Sequence, residues 1–342
     1  MLVFYFIIAI LCLWGFGFRK ETDVDYLSKG QGNAVKGIFI LMVILSHANW
    51  YVWDAGYAYS NWSDAVFLDI SSKFGQLIVV MFLFFSGYGV MSAIRDRGEV
   101  YVKAMPRHRM LNVLLNFDVA VIIYVVVQLL NGQVFPIRQY VLSLFAWDNI
   151  GNSNWYIFVI LLCYAATWVS AKCLKSGWKV LALTLTMLCV VYALLVQFKP
   201  SHWYNTMVAY PLGMAACLGK KQLDAFGKTG WYWLVLAVGF ICLALTYIHH
   251  EDPAGLVHSF RSLVFATVMV LLLMKVKVGN PALNWLGKNL FPLYIYQRLP
   301  MILLVHFDPY GITAGYQVLF VALSIALTLL LVPLVNKIQI KL

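Results

Sequence analysis

The chain has 342 residues, of which 62% are hydrophobic and 11% charged, with a mean hydropathy of +0.80. Soluble globular chains carry about 25% charged residues, so this composition excludes a soluble enzyme and describes a polytopic membrane protein without an appended soluble domain. The net charge of +11 would suit nucleic acid or a membrane surface; its distribution along the chain decides for the membrane.

Residues 2–18 are apolar and end at Arg19 and Lys20. A secretory signal carries its charge before the apolar run and small residues after it. The order here is reversed, so residues 1–20 read as a retained anchor helix ahead of a single membrane domain over 30–342. Further apolar spans follow at 34–52, 76–94, 110–130, 154–171, 179–198, 204–219, 231–248, 258–276, 289–307 and 315–335. The expectation is an all-α membrane helix bundle of about eleven transmembrane helices, most reaching the roughly 17–25 residues a crossing needs. The run 139–147 is short and reads as interfacial.

Lys and Arg concentrate in cytoplasmic segments. With the N-terminus outside, twenty fall in alternate segments on one side, and only Lys73, Arg138, Lys199 and Arg261 fall on the other. That split predicts an extracytoplasmic N-terminus and a cytoplasmic C-terminus, and it accounts for the basic charge without nucleic acid. The six cysteines form no C-x-x-C pair. They read as small packing residues rather than a metal site or a disulfide framework.

The span containing Lys36 and His47 organises the rest. An ionisable side chain inside a bilayer is costly and marks a functional site by default. Eleven steps of helix place His47 roughly 16 Å beyond Lys36, near the midplane of a ~30 Å core. Similar arithmetic puts Asp118 at roughly 12 Å, Arg298 at roughly 13–14 Å and Ser86 at roughly 15 Å from the ends of their own spans. A base, an acid, a cation and a hydroxyl thus share one level. Asp118 has two open readings, a partner that orients His47 or a counter-ion for Arg298. Ser86, followed by Gly87, serves either chemistry or close helix packing.

The stretch 95–109, RDRGEVYVKAMPRHR, reads as a cytoplasmic loop with five basic side chains. It suits the topogenic charge signal, and equally a docking surface for a phosphorylated ligand. On the outer side, Trp50, Tyr51, Trp53 and Asp54 recur with further aromatics to residue 75, and 147–156 reads WDNIGNSNWY. Aromatic belts explain such residues; so would a sugar site, with Trp50, Asp54, Asn154 and Trp155 as contacts. Asn61-Trp62-Ser63 fits an N-glycosylation sequon.

Several segments in order resemble the acyltransferase-3 family of integral membrane acyltransferases. They are Lys36-x10-His47 followed by Ala48, FLFFSGYGV at 82–90, the basic stretch ending Pro106-Arg107-His108-Arg109, NWYIFVILLCY at 154–164, PLGMAACLG at 211–219 and LGKNLFPLYIYQRLP at 286–300. Lys36 stands where the family usually has Arg, and Gln297 where it often has His. Family members usually have ten helices with the N-terminus inside, so the first helix here is an extra one. The resemblance implies transfer of an acyl group, most often acetyl, from cytosolic acetyl-CoA or another acyl-CoA. The acceptor it implies is a hydroxyl of an extracytoplasmic glycan or lipid-linked sugar, with no metal. It also implies a bacterial cytoplasmic membrane and a chain lacking the fused extracytoplasmic hydrolase-like domain of many relatives. The roles expected are His47 as general base or acyl relay, Asp118 orienting it, Arg298 stabilising the oxyanion, and Lys36, Lys103, Arg107 and Arg109 holding the donor phosphates. The competing expectation is a transporter or flippase of a lipid-linked sugar, since midplane polar groups and broken helices occur there too.

Overall fold

The computed structural model describes residues 1–19, 26–248, 252–308, 311 and 315–342. Lys20, counted above with the cytoplasmic charges, lies outside the described residues. The chain is helical nearly throughout, in the order α1 (Val3–Leu13), α2 (Lys29–Asp54), α3 (Trp62–Phe74), α4 (Leu77–Met105), a π-helical turn (Pro106–Leu111) and α5 (Asn112–Leu130). Next come α6 (Ile137–Leu144), α7 (Trp155–Cys173), α8 (Gly177–Phe198), α9 (Ala209–Leu218), α10 (Lys220–Phe226) and α11 (Trp231–Leu245). The last are α12 (Leu256–Lys275), α13 (Pro281–Lys288), α14 (Leu290–Tyr296), α15 (Arg298–His306) and α16 (Gln317–Ile338). Among the described residues, sheet is confined to Gly17–Phe18 paired antiparallel with Val276–Lys277.

Six helical runs are long and apolar enough to cross a membrane, or seven if α10 and α11, bent by 102°, are one span. These are α2, the run 62–130, α7, α8, α12 and α16. Several of the expected eleven spans therefore fall on short or broken helices. The run 289–307 is two helices that meet at Gln297, and the apolar stretch before it is the eight-residue α13. Asn280 caps α13 by accepting from Leu283 N at 2.9 Å, and Asn289 breaks the chain after Lys288. Pro292 and Pro300 stand in the first turns of α14 and α15, where no intrahelical donor is lost. The ten-residue α9 spans roughly 15 Å, about half of a hydrocarbon core.

The stretch 95–109 is not a loop. The α4 helix continues to Met105, bent at Gly98 (φ +55°), and the π-helical turn carries it into α5. A positive φ is open to glycine at little cost, which is why the bend sits there. At the other end, α3 occupies the middle of the expected aromatic loop. Its N-cap is Asn61, which accepts from Asp64 N at 3.0 Å and donates to Asp64 Oδ2 at 2.9 Å. The sequon asparagine is thus engaged as a helix cap.

Outward faces remain apolar. On α11 only Tyr232 and Leu236 are buried, while Trp233, Leu234 and Ile241 are exposed. This suits a surface solvated by lipid, where exposure of Leu or Ile costs nothing. Cys163 and Cys217 are buried in packing as expected, whereas Cys173 and Cys189 are exposed.

Two helix pairs have their backbones in contact. A Cβ on Gly87 of α4 would overlap the Tyr210 carbonyl oxygen of α9, and one on Gly213 would overlap that of Phe84. Likewise Gly37 of α2 meets the Leu283 carbonyl of α13, and Gly287 meets that of Asn33. Membrane helices associate through such small residues because lipid supplies no hydrophobic drive between them. Gly213→Ala is expected to lower stability by about 1–3 kcal/mol, read as a reduced unfolding midpoint in detergent. A variant as stable as its parent would contradict the backbone contact. The other contact, of α2 with α13 through Gly37 and Gly287, fixes the α2 turn that carries Lys36.

Candidate functional site

One end of the bundle is basic, and two cavities open there. The first, of about 640 Å³, lies among Ser28, Lys29, Lys36, Arg97 and Arg109. The second, of about 650 Å³, lies among His108, Asn116, Tyr156, Lys288 and Tyr294. Lys36, Ser86, Arg109 and Tyr164 line both, so the cavities adjoin across these four side chains. Each is within the size range of ligand sites.

Arg109 is brought in by the π-helical turn and anchored by Tyr101. Its Nε donates to the Tyr101 hydroxyl at 3.1 Å, and its guanidinium lies 6.0 Å from that ring. The bend at Gly98 makes this possible by returning Tyr101 towards the bundle, and Arg97 stacks on the same ring at 4.5 Å. Lys36 projects from α2 beside Asn33, in the turn locked to α13. Ser86 lines the second cavity together with Tyr156 and Tyr164.

The other basic residues of the stretch behave differently. Lys103 is exposed, with its ammonium 3.7 Å from Glu99. Arg107 is exposed too, and neither lines either cavity. Of the four expected phosphate ligands, the structure brings together Lys36 and Arg109.

The route inward follows two helices. Lys36 and His47 are eleven residues apart on α2, three helical turns plus about 20°, so they share one face. On the partner track, Tyr294 lines the second cavity, and Arg298 follows four residues later across the break at Gln297. The Arg298 charge acts on His47, Tyr51, Tyr124 and Tyr294 together. Its Nη1 donates weakly to the Gly151 carbonyl at 3.4 Å, and its guanidinium lies 5.7 Å from the Trp50 ring and 5.9 Å from the Tyr51 ring. Its Nε is buried without a partner.

His47 lies in this group, with Nδ1 buried and unpaired. Gln297 is wholly buried and neighbours the ring without a hydrogen bond to it. Its Nε2 donates to the Tyr294 carbonyl at 2.9 Å, and its Oε1 is left without a partner. Buried polar atoms without partners are costly, and each calls for a partner such as water, an ion or a ligand. The His47 ring lines neither of the two cavities. Tyr156 and Tyr294, packed at 5.1 Å between centroids, form the wall at the inner end of the second. The Tyr294 hydroxyl is itself buried and unpaired.

Asp118 does not join His47. It makes no ion pair with Arg298 and no hydrogen bond to the imidazole, and its Oδ1 is buried without a partner. Equal depth did not become contact because the buried face of α5 is Phe117, Val121, Tyr124 and Gln128, one residue round from Asp118. Residue 124 is the one α5 contributes near Arg298.

At the aromatic end, Trp50 is half-exposed beside Arg298, and Asp54 is exposed. Asn154 is buried, and its amide donates to the carbonyls of Ala146 (3.0 Å) and Asp148 (2.9 Å), so it holds the loop that presents Gly151. Trp155 packs on His202 at 6.1 Å. Sequence reasoning passed over Tyr164, Tyr156, Tyr294 and Asn116, since aromatics and amides within apolar runs read as ordinary core. The position of Gln297, next to an ionisable residue in a break between helices, was the available signal.

A basic two-part cavity thus lies at one end of the helices that carry the partly buried His47 and Arg298. No curated protein and no solved structure shows a significant match. A family model described as an acyltransferase domain matches residues 32–335, which include His47, Arg298 and most of the residues lining the two cavities. The chain belongs to the acyltransferase-3 family of integral membrane acyltransferases.

Proposed function

We propose that this protein transfers an acyl group, acetyl foremost, from a cytosolic acyl-CoA to a hydroxyl of an extracytoplasmic glycan or lipid-linked sugar. The basic end faces the cytosol in this reading, with the N-terminus outside. The observation that carries it is the shared face of α2, which links Lys36 in the double cavity to the unpaired imidazole of His47 roughly 16 Å away.

Lys36 and Arg109 hold the donor phosphates, whose charge keeps them at the basic mouth. The pantetheine arm passes Ser86 and displaces the Tyr156–Tyr294 wall to present the thioester near His47. There the acceptor hydroxyl gives its proton to the imidazole as its oxygen attacks the acyl carbon. The new C–O bond forms, the C–S bond breaks, and the departing thiolate takes the proton back from the imidazolium. A neutral imidazole can accept such a proton and return it within one turnover. Arg298, with an unpaired Nε, is placed to stabilise the negative charge on the acyl oxygen. Gln297 Oε1, accepting from His47 Nδ1–H, would leave Nε2 free as the base.

A ligand that binds the native state raises its stability. Acetyl-CoA added to the purified protein at about 100 times its Kd should stabilise it by about 2.7 kcal/mol, visible as a raised melting midpoint. A transporter of lipid-linked sugars would be indifferent to acetyl-CoA, and that result would count against the proposal.

A further inference from the structure

The second cavity has a basic rim of its own. Lys288 of α13 and Lys341, beyond α16, line it and are absent from the lining of the first. No Asp or Glu lines this cavity, and neither lysine makes an ion pair among the described residues. With Lys36 and Arg109 further in, four positive groups surround it without a carboxylate.

The segment bearing Lys341 belongs to no helix, and its position is set by Asn116. That side chain is 6% exposed; its Nδ2 donates to the Ile340 carbonyl at 2.9 Å, and its Oδ1 accepts from Ile340 N at 2.9 Å. One amide thus satisfies both backbone groups of a single residue, as a neighbouring strand would. A second link joins Asn336 Nδ2 to Asn289 Oδ1 at 3.0 Å, tying the end of α16 to the residue after Lys288. Two polar ties bring the lysines to one rim, while both side chains stay exposed. Lys36 and Arg109 are only partly exposed, deeper along the same wall.

We propose that Lys288 and Lys341 form a separate phosphate subsite for the ribose 3′-phosphate of the donor, with the pyrophosphate held at Lys36 and Arg109. This rests on the acyl-CoA reading above. Order along the donor supports the assignment. The pyrophosphate lies between the 3′-phosphate and the thioester arm, so the group furthest from the reacting end belongs at the outer rim. Ammonium groups on flexible stems serve phosphate as point charges.

The test is calorimetric titration of the purified full chain with coenzyme A and with 3′-dephospho-coenzyme A. The unaltered protein should prefer coenzyme A by on the order of tenfold. The double variant Lys288→Ala/Lys341→Ala should lose that preference, weakening for coenzyme A alone and keeping its affinity for the dephospho form. A double variant that still discriminates, or that weakens equally for both ligands, overturns the subsite. Binding of coenzyme A by the unaltered protein without discrimination also removes the subsite and leaves the donor reading in place. Binding of neither ligand removes both.

Discussion

His47→Ala is expected to abolish acyl transfer, with a fall in kcat of at least about a hundredfold, the lower range for loss of a general base. Affinity for coenzyme A should stay within about threefold of the parent, because the proposed phosphate site at Lys36 is three turns away along α2. This separation distinguishes a chemical role from a structural one. Removing a group used only in the transition state lowers kcat and kcat/KM together. His47 already has a buried unpaired nitrogen, so truncation relieves an unsatisfied atom and expression should not suffer. Substantial turnover in the variant would show that the proton is taken elsewhere, with Asp118 the next group to examine.

Lys36→Ala should produce the opposite pattern. The donor KM should rise on the order of tenfold or more while kcat falls little, since a phosphate contact far from the thioester is made equally before and during reaction. Arg109→Lys should weaken the donor by a similar order, because the guanidinium both lines the two cavities and holds Tyr101, and an ammonium cannot reproduce that fork. Lys103→Ala should leave donor affinity unchanged, given an exposed side chain near Glu99. Equal effects at Lys36 and Lys103, measured as donor KM, would mean that diffuse positive charge rather than the cavity binds the donor.

The organising helix was legible because its signal is local. Lys36 and His47 interrupt one apolar run, and helical rise alone places them. Arg298 was legible for the same reason. What failed was inference across elements. Depth arithmetic put Asp118 level with His47, but depth does not give azimuth, and α5 turns Phe117 and Tyr124 inward instead. The stretch 95–109 looked like a loop because charge and Gly98 suggest one. A single glycine at positive φ followed by a π-helical turn lets helix persist there. The short helices over 281–306 were hidden by continuous hydrophobicity. Asn280, Asn289 and Gln297 mark the breaks, yet each reads as an isolated polar residue until the packing of α13 on α2 is seen. The pairing of Asn116 with Ile340 joins residues 224 apart in sequence and had no local trace at all.

The proposed transfer requires a carrier arm that reaches from the basic end to the ring of His47. Coenzyme A disulfide offered to the His47→Cys variant measures this directly, by exchange with the introduced thiol and mass mapping of the modified peptide. The prediction is a coenzyme A adduct at position 47 that is suppressed by excess acetyl-CoA and diminished when Lys36→Ala is added. Labelling of the exposed Cys173, at the end of α7, with position 47 left untouched would contradict it.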